Sequence, residues 1–516
     1  MNKKSTGNLA AVIEIGSSAV RMRVSQLRRG KTEVLDSLEY PVFLGHEVFT
    51  EGSIRFESLR QLSGILSKYT ATLESYGCKN VRLVSSTVLR EAKNRSFVKD
   101  QIKIRNHLDL EILEYSEEKA LICSEILRLL HTEQKLDTEN AVLAYIGTGS
   151  IGIVHYNGTV ISTSQNIPVG SVKLHDALRS ISRESDDFYP VVEEYLDLIF
   201  DRIDIPASEI RSIILTGSDL ALVASVCEAE KSGDIYSISA KELRSTYKTL
   251  RTMSPSAAAR RYNITEEEAE ILFTALSIYN GMLRLSKEPQ KLICPDIDIC
   301  DAITRHMLVP GAQKEYWAQT HESALASARR IASKYNCHTA HAETVAGFAC
   351  ELFDKLKNIH GLSPDKKIIL ELSAILHSCG QYINMRIHNQ CSFDLIKNLD
   401  IFGMTSAQIL ETAFVSGYEE LSAPNYSDAS FLTLSEAQKL DISKLIAIFR
   451  LANALDKSKH QKLQIGKIRV SNDKLEIKTT TDAPALLEKW AFDECAGFFE
   501  EVFGLSPELH IRSNLL

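Results

Sequence analysis

The chain is expected to form two α/β domains around a cleft, then an all-helical domain, then a small C-terminal α/β domain. Its 516 residues suffice for about three or four domains with real cores. A β-hairpin followed by βα alternation occurs twice before residue 308, and two copies of one α/β pattern imply two facing lobes. Beyond about residue 309 the apolar period becomes that of amphipathic helices, and strand alternation returns only near Leu463. The expected divisions are 1–128, 129–308, 309–460 and 461–516.

In chain order, the first lobe reads as strands near 9–16, 20–27, 32–40 and 81–85, with helices near 56–76 and 117–131. The second has strands near 141–146, 151–156 and 159–166, a helix from Val172, and a buried strand at 213–217 ending in a turn. Helical stretches at 319–335, 341–358, 367–378, 405–417 and 435–455 make the third part. Strands at 465–470, 475–479 and 508–511, with a helix at 483–503, complete the last.

A hydrophobic fraction of 44% and a charged fraction of 24% describe an ordinary soluble globular chain. No apolar run reaches membrane-spanning length and the N-terminus runs straight into a strand, so neither a signal peptide nor a membrane span is expected. The 10 cysteines are scattered without a CxxC pair and read as reduced thiols of a cytoplasmic protein, not as disulfides or a zinc site. A net charge of −8 argues against general nucleic-acid binding. Charge is uneven, however: Lys79, Arg82, Arg90, Lys93, Arg95, Lys99, Lys103 and Arg105 face only Glu91 and Asp100 in the same stretch. That stretch suits either a local polyanion site or a solvated helix face. The run Lys457, Lys459, His460, Lys462, Lys467 and Arg469 reads as a polyanion track or as a solvated linker.

Two segments carry the functional reading. Ala11-Val12-Ile13-Glu14-Ile15-Gly16-Ser17-Ser18 and Ala141-Val142-Leu143-Ala144-Tyr145-Ile146-Gly147-Thr148-Gly149-Ser150 each run an apolar strand into a small-residue turn that opens toward a second strand. Glycine lets backbone N–H groups approach an anion, and the hydroxyls of Ser17, Ser18, Thr148 and Ser150 add donors. Either segment alone is a weak signal, since a Gly-Ser turn after a buried strand is usually only a hairpin. The duplication favours two turns gripping a phosphate chain across a cleft.

Several further stretches bear a family resemblance. They are the run Ser86-Thr87-Val88-Leu89-Arg90-Glu91-Ala92-Lys93-Asn94-Arg95, the segment Ile167-Pro168-Val169-Gly170-Ser171-Val172-Lys173-Leu174, the turn Thr216-Gly217-Ser218, Ala269-Glu270-Ile271, and the strand Leu292-Ile293-Cys294-Pro295. Leu376-His377, Ile383-Asn384, His388 and Leu451-Ala452-Asn453-Ala454-Leu455-Asp456 follow in the helical part. Together with the two turns they resemble the exopolyphosphatase/guanosine-pentaphosphatase (Ppx/GppA) family over essentially the whole chain. The resemblance implies two actin-like (ribonuclease H-like) α/β domains, an HD-like helical domain and a C-terminal α/β domain. It also implies a hydrolase acting on phosphoanhydride bonds, which releases terminal phosphate from polyphosphate or pppGpp with a divalent metal, usually Mg²⁺. In Glu114-Tyr115-Ser116-Glu117-Glu118-Lys119-Ala120 it places Glu118 as the water-activating base, with Glu117 beside it. Arg90 becomes the phosphate clamp, because its fork can hold two oxygens. Acids also favour the first turn of any helix, which is the plain alternative for Glu117 and Glu118. Family members often pair into homodimers.

The match departs from the family pattern at specific positions. Tyr145 stands where the family has a metal-holding aspartate, Gly152 where it has a glutamate, Thr148 for the middle glycine, Glu14 for aspartate and Ser18 for asparagine. Ser116 precedes the base, and Lys119 replaces an acid. About three units of negative charge are thereby removed from a site expected to hold Mg²⁺, leaving Glu14 as the candidate metal ligand. In the HD-like part, His341, His377, His388 and Asp456 remain, but Ser378 takes the place of the acid after His377. These histidines then read as packing or phosphate-facing residues. Three functions follow: a hydrolase of polyphosphate or pppGpp; a weak or inactive homologue that binds such a ligand as sensor or scaffold; and, least favoured, a kinase of the same superfamily.

Overall fold

The computed structural model describes residues 9–133, 140–182, 188–205, 209–287, 291–419, 429–471 and 473–513. It divides into two units, Met1–Thr320 and His321–Leu516.

The first unit is built on two sheets of one design. β1 (Leu9–Ile15), β2 (Ala19–Arg28), β3 (Lys31–Pro41), β4 (Val81–Ser85) and β5 (Leu110–Ile112) form a sheet ordered β3-β2-β1-β4-β5. The first three strands are antiparallel, while β1, β4 and β5 run parallel. β6 (Ala141–Ile146), β7 (Ile151–Tyr156), β8 (Ile161–Ile167), β9 (Ser212–Gly217) and β12 (Lys291–Pro295) repeat that order. β11 (Ile235–Ser239) and β10 (Glu230–Ser232) extend this second sheet at its β12 edge. The central strands are covered on both faces, which is why β6 reads as an unbroken apolar run and β1 as one interrupted only by Glu14.

Each half lends a helix to the other. Tyr115–Thr132, which follows the first sheet, packs on β6 and on the helix Ile299–Leu308; the latter follows the second sheet and packs back on β1 and β2. The turns after β1 and β6 are thereby held at one end of a common body. The basic stretch folds mainly as the helix Arg95–Asn106, and Arg82 and Lys103 pair with Glu111 and Asp109.

In the second unit, helices Thr339–Lys355, Lys367–Leu376, Ser406–Gly417 and Glu436–Ala454 pack on one another. A sheet of β13 (Gln464–Ser471), β14 (Lys474–Thr481) and β15 (Ser506–Ser513) follows, covered by the helix Leu486–Phe503. One apolar cluster runs from Val345 and Phe449 through Ile477 to Phe499, so bundle and sheet share a core. All 10 cysteines are free thiols. No helix among the described residues is long and apolar enough to cross a membrane.

Candidate active site

The two turns close in the same way. Gly16 N–H donates to Ala19 O and Gly147 N–H to Ser150 O, both at 2.9 Å. They also meet directly: Thr148 Oγ1 donates to Ser17 Oγ at 3.0 Å. Gly170 is required beneath the second turn, since a Cβ there would lie 2.3 Å from Gly147 O and 2.5 Å from Gly149 N. Ser18 is exposed, and its carbonyl accepts from Val42 N–H at 2.8 Å.

A hydrogen-bonded chain leads from the second turn to Glu118. Ser150 Oγ stands 3.4 Å from Thr87 Oγ1, which accepts from Arg90 Nη2 at 2.9 Å. Arg90 also donates to Leu113 O at 2.6 Å and, through both terminal nitrogens, to Glu118 Oε2 at 3.2 Å. Its guanidinium lies 3.5 Å from the centroid of the Tyr115 ring, a stacking that holds the fork in plane. Arg90 and Glu118 are both nearly buried. Glu117, by contrast, turns back to accept from Glu114 N–H at 2.9 Å and completes a capping box at the start of the helix Tyr115–Thr132.

Glu14 is also buried, with Oε2 free of hydrogen bonds and 3.6 Å from Arg21 Nη1. Burial raises its carboxyl to about 7; Arg21 opposes this, while Asp298 and Glu118 add to it. Burial likewise holds the Tyr145 phenol well above its usual range, with the charges of Glu118 and Glu14 adding. A cavity of about 520 Å³ opens here, and its lining includes Glu14, Arg21, Arg23, Tyr145, Ser218 and Asp298; Glu118 does not line it. Arg23 forks onto Asp298 at 2.7 and 2.9 Å and reaches Asp301 at 2.6 Å. These two acids cap the helix Ile299–Leu308. Burial and the neighbouring Asp298 raise Asp301 to about 7.

The donor set does not fit Mg²⁺. A hard cation takes oxygen ligands, commonly including a carboxylate, yet Arg21 stands against Glu14, Arg23 occupies Asp298 and Asp301, and Tyr145 offers a phenol in place of an acid. The two most unusual departures also fit each other. Lys119 is 1% exposed, and a Cβ at Gly152 would lie 3.1 Å from its Cδ. The lysine stem fills the space that a side chain at 152 would take.

In the second unit, His341 Nδ1 and Asp456 Oδ2 are 2.9 Å apart, and the His341 and His377 rings lie 5.3 Å apart. His377 is buried and its basicity lowered by that burial; its Nε2 faces Glu419 Oε1 at 4.0 Å. His388 begins the helix His388–Ile396 and contributes to the field at Glu419. Among the described residues, no group of three or more His, Cys, Asp or Glu side chains is arranged to hold a metal.

Sequence reasoning brings Gly16, Ser17, Arg90, Thr148, Ser150 and Glu118 to one place, and the structure joins them. It did not find Arg21, Asp298, Asp301 or Glu419. The Asp298-x-x-Asp301 spacing after a buried strand is a visible capping signal, whereas nothing around Glu419 marks it.

Two repeated α/β halves, each headed by a small-residue turn and joined by exchanged helices, define an actin-like fold. The chain belongs to the Ppx/GppA phosphatase family: the profile described as "Ppx/GppA phosphatase family" matches residues 23–296, and "Ppx/GppA phosphatase, domain III" matches 325–491. The chain is 20% identical over 421 residues to a guanosine-5'-triphosphate,3'-diphosphate pyrophosphatase of Vibrio parahaemolyticus, covering 79% of this chain and 80% of that one. It is 21% identical over 422 residues to the protein of that name from Vibrio vulnificus, with the same coverage. An exopolyphosphatase structure from Cytophaga hutchinsonii shares the fold with a TM-score of 0.51 at 17% identity, covering 58% of this chain and 97% of that one.

Proposed function

We propose that this phosphatase-family chain releases terminal phosphate from inorganic polyphosphate or from pppGpp, with Glu118 as the base. The supporting observation is a pair of contact sets: Ser17–Thr148 joins the two turns, and Ser150–Thr87–Arg90–Glu118 runs from the second turn to one carboxylate. In the free protein Arg90 neutralises Glu118. An arriving phosphate offers oxygens that compete for the same guanidinium. As Arg90 turns to them, Glu118 loses its counter-charge and becomes able to take a proton from water. That water attacks the terminal phosphorus in line, the phosphoanhydride bond breaks, and the turn N–H groups with Arg90 carry the charge on the transferred group. No step is assigned to Mg²⁺. We place the protein in the cytoplasm, where ten free thiols persist.

The direct Ser17–Thr148 hydrogen bond favours a second reading, in which the turns clasp a phosphate chain without turnover. Phosphate release from polyphosphate and from pppGpp, followed with and without Mg²⁺, decides between them. Hydrolysis that disappears in Glu118→Gln supports the first reading. Saturable, salt-sensitive binding by calorimetry with no product supports the second.

A further inference from the structure

Away from the cleft, two thiols of the helical unit stand in contact, with Cys337 Sγ and Cys379 Sγ 3.3 Å apart. Cys337 lies in the turn before the helix Thr339–Lys355, where its N–H donates to Ala332 O at 2.9 Å. Cys379 is fully buried in the 3₁₀ turn His377–Tyr382. Ser392 Oγ ties that turn by donating to His377 O at 2.5 Å and accepting from Gly380 N–H at 2.9 Å. Hydrogen-bonded backbone therefore sets the approach of the two sulfurs from both sides. Cys337 is partly exposed, so a small oxidant reaches it first. Contact with Cys379 lowers the Cys337 thiol to about 7, with Ser378 and Lys459 adding and burial opposing, and the same contact with burial raises the Cys379 thiol. Cys350 is also partly exposed, but burial pushes its thiol up to about 12.

We propose that Cys337 and Cys379 are a redox couple that closes to a disulfide when hydrogen peroxide reaches the protein. The Cys337 thiolate attacks one peroxide oxygen: the S–O bond forms, the O–O bond breaks, and the departing hydroxide takes a proton to become water. Cys379 sulfur then displaces the hydroxyl of the Cys337 sulfenic acid. The S–S bond forms, the S–O bond breaks, and the Cys379 proton leaves with a second water. The thiols lose two electrons and the peroxide gains two; a dithiol reductant reverses the reaction. The bridge spans a sequence separation of 42 and fastens the turn before His341 to the turn that begins at His377. It restricts the unfolded chain and so stabilises this unit.

The full-length protein, treated with dilute hydrogen peroxide, alkylated after denaturation and digested, provides the test. The expected product is a single Cys337–Cys379 linked peptide, with two of the 10 thiols lost to alkylation and both restored by dithiothreitol. In Cys379→Ser the reaction should stop at Cys337 sulfenic acid, which dimedone traps. If both thiols stay alkylatable while others oxidise, or if Cys337 joins a different cysteine, the couple is overturned. The wild-type peptide map decides this even where the variant does not fold.

Discussion

Arg90 holds Thr87, Leu113 and Glu118 with one guanidinium, so the two ways of disabling it should differ. Glu118→Gln removes the base and should lower kcat by roughly 10²–10⁴-fold with little change in KM. Arg90→Lys keeps the charge but loses the fork, and should raise KM as well as lower kcat; steady-state phosphate release distinguishes the two. Glu14 adds a pH signature. Burial holds its folded pKa at about 7, above the ordinary 4.5, so the protonated carboxyl contributes stability that is fully present below pH 4.5. That contribution is lost as pH rises toward 7 and stays absent above it, a change of roughly 3 kcal/mol. Glu14→Gln has no such loss. Denaturant unfolding of both proteins at several pH values should show the variant gaining on the wild type between pH 4.5 and 7 and running parallel above. The identities of the turn residues and Arg90 are legible because short motifs carry them. The Arg90–Glu118 pairing is not, since it joins residues 28 positions apart across a tertiary contact that no local pattern encodes.

Helix Tyr115–Thr132 separates two adjacent glutamates by its geometry. Glu117 closes the cap on Glu114, while Glu118 points to Arg90. Glu117→Ala should therefore cost about 1 kcal/mol of stability and leave kcat within a small factor, which unfolding and rate measurements on one preparation can check. The same helix packs Lys119 against β7. A Cβ at 152 already lies 3.1 Å from Lys119 Cδ, so the larger Gly152→Val should overpack the lysine stem and destabilise by about 1–3 kcal/mol. Lys119→Ala should absorb part of that loss, giving a non-additive double-mutant cycle. Strand and helix positions were readable from periodicity: 81–85 and 141–146 coincide with β4 and β6. The complementarity of Gly152 and Lys119 was not, because each reads alone as a lost carboxylate and only packing shows them sharing one volume.

At the scale of the whole chain, the two units should report separate chemistry. The candidate phosphate site is built wholly from Met1–Thr320, and the thiol pair wholly from His321–Leu516. A ligand that binds only the folded state slows exchange of the amides it protects: at 100 times Kd the gain is about 2.7 kcal/mol, roughly 100-fold in rate. Hydrogen exchange with polyphosphate or pppGpp present should slow peptides spanning 14–18, 87–91, 115–119 and 145–152. Peroxide should instead slow peptides around 337 and 379. Because Glu14 and the acids near it are held by arginines, millimolar Mg²⁺ alone should leave the first set unchanged. Protection of those peptides by Mg²⁺ without any phosphate ligand would show that a carboxylate is free to coordinate, and would return the metal to this site.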